Sequence, residues 1–234
     1  MNHIAALIPD STRPAPQGLR PNEPVSALEA KHAPYFVQKM VVGKELLGRP
    51  RIEVLQQICQ GRRVLHVGCV DWPITDPANS LHVKLDAVCA HLDGFDIHAE
   101  AFDALRPHVR GEFFSDWQQV TASYDLVLVP EVMEHVPDVQ GFLAQLDAVD
   151  APHVLITVPD AYQCRNRHFD YLTENETFVE VVHPDHNCWY TPYTFSNVIR
   201  KYTGWKVDGL WFFNHISLLA IASKPAREPA APQA

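Results

Sequence analysis

The sequence predicts an α/β chain built on a mostly parallel sheet, and three observations carry that expectation. Short apolar runs rich in β-branched residues alternate with segments of helical periodicity from about residue 62 onward. Strands joined in this way pair in parallel, because a parallel crossover needs a connection long enough to hold a helix. The last two runs, "WKVDGLWFF" and "ISLLAIAS", are separated only by Asn214-His215, which reads as a hairpin and adds an antiparallel edge.

The elements follow in order. "SALEAKHAPYFVQKMVVGKELL" and "PRIEVLQQICQG" are expected to form two helical pieces, interrupted near Pro34 and Gly48 and closed by Gly61, as an N-terminal cap over residues 26–61. "RRVLHVG" is the first strand. "SLHVKLDAVCA" places Leu81, Leu85, Val88 and Cys89 on one helical face, and "HLDGFDI" is the second strand. "AEAFDALRPHV" is a helix ended near Pro107, "GEFF" a short third strand and "YDLVLV" a buried fourth. In "DVQGFLAQLDAV", Asp138 can cap a helix with Phe142, Leu143, Leu146 and Val149 on one face, and "HVLITV" is the fifth strand. Thr191 and Pro192 suit the cap and first position of the helix in "TPYTFSNVIRKYTG". Sheets of this kind bind ligands beyond the carboxyl ends of their strands, where the strand order reverses.

A chain of 234 residues accommodates one sizeable core with appendages. Pro9, Pro14, Pro16, Pro21 and Pro24 mark residues 1–25 as a mobile arm, and residues 225–234 have the same character. The formal charge of −9 disfavours non-specific binding to nucleic acid or an anionic membrane, since both need net cationic attraction. Five scattered cysteines without a CxxC pair fit a reducing cytoplasm. No apolar run approaches the roughly 20 residues that a spanning helix needs, and "MNHIAALIPD" lacks the pattern of a secretory signal.

The ordered features "VLHVGC", "GFDIHAEAFDALR", "EFFSDW" and "YDLVLVPEVMEHVPD" resemble class I S-adenosylmethionine-dependent methyltransferases over residues 63–224. The resemblance implies a doubly wound, Rossmann-like sheet of seven strands in the order 3-2-1-4-5-7-6 with the last strand antiparallel, and S-adenosylmethionine as cofactor. It also implies a domain over residues 62–224 with a substrate-side insertion at about 160–190. The cofactor contacts implied are His66, Gly68, Cys69 and Val70 after the first strand, Asp96 and Ile97 after the second, Asp116 and Trp117 after the third, and Pro130 and Glu131 after the fourth. Asp96 is placed to accept hydrogen bonds from both ribose hydroxyls; as a bare residue it is also a helix N-cap. Asp116 can accept from the adenine amino group, and Trp117 can pack on the ring.

The loop after the first strand departs from the family pattern. His66 stands where an acid is usual, Gly68 is kept, and Val70 and Trp72 replace the later glycines. Asp96 follows Gly68 by 28 positions, and "DWPITDPANS" accounts for the extra length. A nicotinamide dinucleotide is disfavoured more strongly, because G-x-G-x-x-G is absent.

Methyl transfer asks the protein to align a nucleophile and, for a hydroxyl, to remove its proton. The group for this is "EVMEH", with Glu131, Glu134 and His135 on one face if that turn is helical. In one reading His135 is the general base with Glu134 beside it. In another, Glu131, Glu134, His135 and His186 of "HPDHNCWYTPYTF" hold a divalent cation (Mg²⁺, Mn²⁺ or Zn²⁺), as in the metal-dependent small-RNA ribose and ubiquinone-pathway methyltransferases that the E-x-x-E-H turn and this later D-H element are together similar to. In many relatives the same turn carries no metal, and the histidine packs beneath the site. Tyr162, Trp189, Tyr190 and Tyr193 offer flat faces near the expected rim, and His32, Tyr35 and Phe36 are expected to close over the cofactor. The acceptor class expected is a small molecule or glycan intermediate, methylated at oxygen, with nucleic acid and membrane disfavoured. A metal-dependent RNA ribose methyltransferase and a catalytically silent binding protein are the alternatives.

Overall fold

In the computed structural model, residues 26–32, 36–73 and 75–226 are described; the expected arm at 1–25, Tyr35 and the last eight positions lie outside them. Seven strands form the main sheet: β1 (Arg63–Val67), β2 (His91–Phe95), β3 (Phe113–Phe114), β4 (Leu126–Pro130), β5 (His153–Pro159), β8 (Lys206–Phe213) and β9 (Ser217–Ser223). Their order is β3-β2-β1-β4-β5-β9-β8. β1 pairs in parallel with both β2 and β4, and β9 is antiparallel to both β5 and β8. The chain order therefore reverses between β1 and β4, and the carboxyl ends of those strands face the crevice that doubly wound sheets use for ligands. Because a separate hairpin, β6 (Phe169–Leu172) with β7 (Thr177–Glu180), lies in the expected insertion, β9 and β8 are the seventh and sixth strands anticipated from the sequence.

Strand alternation divides the core into two layers. Along β4, Val127 and Val129 face a layer with Leu65, Ile156, Leu143 and Leu146 of α5 (Val139–Ala148), and Phe195 and Ile199 of α7 (Pro192–Tyr202). Leu126 and Leu128 face the other layer, with Leu55 and Ile58 of α2 (Arg51–Cys59) and Leu85 of α3 (Leu81–Asp86). Every one of these residues is at most 1% exposed, so each large side chain contributes about 1.5–3 kcal/mol of apolar burial. The caps act as expected: Asp138 accepts from the Gly141 amide at 2.9 Å, and Thr191 forms a reciprocal box with Thr194. The helix expected to end at Pro107 is α4 (Phe102–Leu105), followed by a single tighter turn over Arg106–His108.

The N-terminal cap differs from the expectation. Among its described residues, helix is confined to α1 (Ala27–His32) and α2, while residues 37–43 run without helix to a bridge at Gly43. There the amide of Gly43 donates to Leu210 at 2.8 Å and the amide of Phe212 donates to Gly43 at 3.0 Å. β8 is the edge of the sheet, and this segment satisfies backbone groups that the edge would otherwise leave open. A Cβ at Gly43 would lie 2.2 Å from the Trp211 ring, so only glycine approaches this closely. All five cysteines are free, and no helix among the described residues is long and apolar enough to cross a membrane.

Candidate active site

The loop after β1 turns on Gly68, whose φ of +73° and 2.3 Å approach of its would-be Cβ to Val132 Cγ2 admit no side chain. The amide of Gly68 donates to the Phe95 carbonyl at 2.8 Å, which fastens the loop to the end of β2. One residue further, Asp96 is 7% exposed and accepts from Val70 N through Oδ2 at 3.1 Å and from His98 N through Oδ1 at 3.0 Å. Burial raises its pKa, opposed by these backbone donors. A carboxylate accepts about four hydrogen bonds, so these two donors leave this one acceptor capacity in reserve.

The bulky residues in the loop are accommodated by direction. Val70 is 8% exposed and packs beneath the loop with Phe102, Leu105 and Phe113, so its side chain fills core where a glycine would leave space. Trp72 stacks on His98 with centroids 5.1 Å apart and stays half exposed. His66 and Cys69 are likewise buried: His66 Nδ1 lies 3.1 Å from Nδ1 of His82, and the Cys69 thiol sits against Gly94. Burial pushes His82 down to about 4, holds His66 well below its usual range, and raises the Cys69 thiol. Of the sequence-predicted contacts here, the structure brings Gly68, the Val70 amide and Asp96 together, while the side chains of His66, Cys69 and Val70 belong to the core.

Beyond β2 and β3 the predicted residues separate in role. Ile97 is 76% exposed. Asp116 is exposed and caps a short turn by accepting from Gln118 N at 2.9 Å. Trp117 stacks on Phe95 at 3.7 Å, which occupies one face of the indole.

After Pro130 the chain reverses at Glu131, whose φ of +56° is strained for a residue with a side chain and is fixed by donation of its amide to the Thr157 carbonyl at 3.0 Å. The following turn is not helical, so the helical face that would unite the three does not form, although Glu131 lies near enough to Glu134 and His135 for their charges to interact. Instead Glu134 and His135 meet His186, with one ligand atom of each lying within 4.8 Å of the others. Asn187 makes that meeting: its amide donates to the Glu134 carbonyl at 2.8 Å, and its side chain donates to the His135 carbonyl at 2.7 Å. Asp185 Oδ2 lies 3.2 Å from His135 Nδ1 and orients that ring. Glu134 is fully buried, neither of its oxygens has a partner, and burial together with neighbouring Glu131 pushes it up to about 9. His186 is pushed down to about 4 by burial and by His135 and His183, and its Nδ1 is buried without a partner.

The rim aromatics divide too. Tyr162 and Tyr193 are exposed and Trp189 lies 6.4 Å from the His186 ring, but Tyr190 is 5% exposed and packs on Phe195 in the core. His32 is exposed and Phe36 is 86% exposed, so neither packs over the sheet. Asp185 enters the site with His186 as the D-H element the sequence offers, whereas Asn187, the next residue in "HPDHN", carries no signal there of its bridging role. Arg51, which follows Pro50 at the start of α2, also reaches the carboxyl edge of the sheet, with Nη2 3.5 Å from the Pro130 carbonyl, and its place in the chain carries no sign of that.

Strand order, the single reversed strand and the line of loop, acid and acidic turn along the carboxyl edge define the class I S-adenosylmethionine-dependent methyltransferase fold. No protein-family model matches the sequence, and no curated protein does. Among solved structures, the chain is similar to a SAM dependent methyltransferase from Aquifex aeolicus, with TM-score 0.51 and 14% identity over 75% of this chain and 89% of that one. It is similar also to DhpI, solved in complex with SAH, with TM-score 0.50 and 16% identity over 75% and 83%. At such identities the likeness speaks for the fold.

Proposed function

We propose that this chain is an S-adenosylmethionine-dependent methyltransferase acting at oxygen of a small molecule or glycan intermediate. The observation that carries the reading is the join of the Gly68 loop to Asp96 through the Val70 amide, which fixes a carboxylate with spare acceptor capacity at the reversal of strand order. The residues fit the cofactor: Asp96 suits a vicinal diol, exposed Ile97 and Asp116 suit an adenine, and buried Glu131 Oε1, without a partner, suits an ammonium. When bound, the cofactor supplies an already activated methyl group on a sulfonium. His135, oriented by Asp185, accepts the proton of the acceptor hydroxyl, and Trp189 beside His186 offers a flat face to a sugar or ring.

A second reading of the same group is favoured by Glu134, His135 and His186. One carboxylate and two imidazoles suit Zn²⁺, Mn²⁺ or a similar cation, and the partnerless Glu134 oxygens and His186 Nδ1 are the atoms that a cation would satisfy. These three residues would hold it and Glu131 would stand outside the set. The cation would acidify the acceptor hydroxyl, so that His135 serves as a ligand.

Transfer of labelled methyl from S-adenosylmethionine to a panel of hydroxylated small molecules and glycan intermediates tests the oxygen assignment. Label recovered as an ether and lost in His135→Ala is expected; label on nitrogen or carbon, or on RNA alone, overturns it. Tight cofactor binding without turnover on any acceptor would favour a silent binding protein.

A further inference from the structure

Arg51 opens α2 and extends its guanidinium to the carboxyl edge of the sheet, where Nη2 lies 3.5 Å from the carbonyl of Pro130, the last residue of β4. Its Nε is buried and has no hydrogen-bond partner. Asp71, Glu131 and Glu134 all lie near enough to feel its charge, yet among the described residues no carboxylate oxygen comes within the 4.0 Å of an ion pair with it. Glu131 Oε1 is also buried and partnerless. A guanidinium and a carboxyl group thus stand at the same strand end without meeting. Each bears the cost of leaving water without the return of a close pair. A ligand that presents a carboxylate and an ammonium on one carbon satisfies both at once. The amino-acid end of S-adenosylmethionine is such a group.

We propose that Arg51 binds the α-carboxylate of the cofactor's amino-acid end, with Glu131 accepting from its ammonium. This rests on the cofactor reading given above. Arginine suits the task because its planar fork matches a carboxylate through paired N–H donors and stays charged when partly buried. Glu131 turns the chain at positive φ directly after β4, next to Pro130, whose carbonyl Arg51 touches, so the two groups belong to one strand end. The pair would select for the whole amino-acid moiety, so that nucleoside thioethers lacking it bind poorly.

Calorimetric titration of the full chain and of Arg51→Gln with three probes tests this. The probes are S-adenosylhomocysteine, the same compound lacking only its carboxylate, and 5′-methylthioadenosine. The expected result is that the unaltered chain binds S-adenosylhomocysteine roughly 10–100-fold more tightly than the decarboxylated probe, as for loss of a charged hydrogen-bonded pair. Arg51→Gln should lose that factor for S-adenosylhomocysteine and almost nothing for the other two. Equal weakening of all three probes in Arg51→Gln would overturn the assignment, since it marks a general structural role. Equal affinity of the unaltered chain for the carboxylated and decarboxylated compounds would overturn it without reference to any variant. Binding of none of the three by the unaltered chain would sink the cofactor reading and this inference with it.

Discussion

The amide of Val70 donates to Oδ2 of Asp96 across 3.1 Å, so the loop after β1 is tied directly to the acid after β2. Val70 supplies that bond with its backbone while its side chain is buried against Phe102 and Phe113. The loop thus carries its bulk in two directions, Val70 into the core and Trp72 outward against His98.

Removing the acid should loosen both the loop and the ligand. Asp96→Ala is expected to weaken S-adenosylhomocysteine binding by roughly 10–100-fold, the scale of a charged hydrogen-bonded contact. Asp96→Asn keeps one acceptor oxygen and should lose less. Equal affinity in all three proteins, measured by calorimetry, would show that the carboxylate does not face the ligand.

Gly68→Ala should destabilise the fold by about 1–3 kcal/mol, because alanine at positive φ is strained and its methyl would meet Val132 Cγ2 at 2.3 Å. Adding Val132→Ala removes the collision and leaves the backbone strain, so it should restore only part of the loss. Urea midpoints of the single and double variants check this; a Gly68→Ala chain as stable as the parent would contradict the loop geometry.

The buried His66–His82 pair gives a pH dependence whose sign is fixed. Its ring nitrogens meet at 3.1 Å, and burial depresses both residues, with His82 held at about 4 although Asp86 and Asp93 oppose the shift. Arg51 adds to the depression of His66. Between an unfolded pKa near 6.5 and about 4, the unfolded chain binds more protons at His82 than the folded one, so stability falls as pH falls through that window. The double variant His66→Val, His82→Leu should flatten that slope in denaturation series at pH 7 and 4.5. An unchanged slope would place the acid sensitivity elsewhere.

Cation binding has a separate signature. Zn²⁺ or Mn²⁺ should raise the melting temperature of the parent, and Glu134→Gln and His186→Ala should each abolish the rise, while Glu131→Gln should retain it. No rise in the parent would remove the metal reading and leave His135 as the base. Equal loss in Glu131→Gln would bring Glu131 back into the ligand set.

The regular elements were legible in the sequence because each has a local cause. β4 is an unbroken apolar run and β5 one broken only by Thr157 after its opening His153, and α5 and α7 carry their own caps at Asp138 and Thr191. Residues 37–43 escaped because their path is set by the edge of β8, a partner far along the chain. The hairpin β6–β7 escaped because its exposed strands carry no burial pattern to read. In the site, Gly68, Asp96 and the acidic turn were legible from type and order. The direction of Val70, the approach of His186 to Glu134 and His135, and Arg51 were not, since each depends on packing between distant segments.

Calorimetric titration of the unaltered chain with S-adenosylmethionine and S-adenosylhomocysteine tests the central claim most directly. Saturable binding of both at one shared site is expected, with each competing against the other. The absence of saturable binding for either would contradict the assignment of the crevice between β1 and β4 as a methyl-donor site.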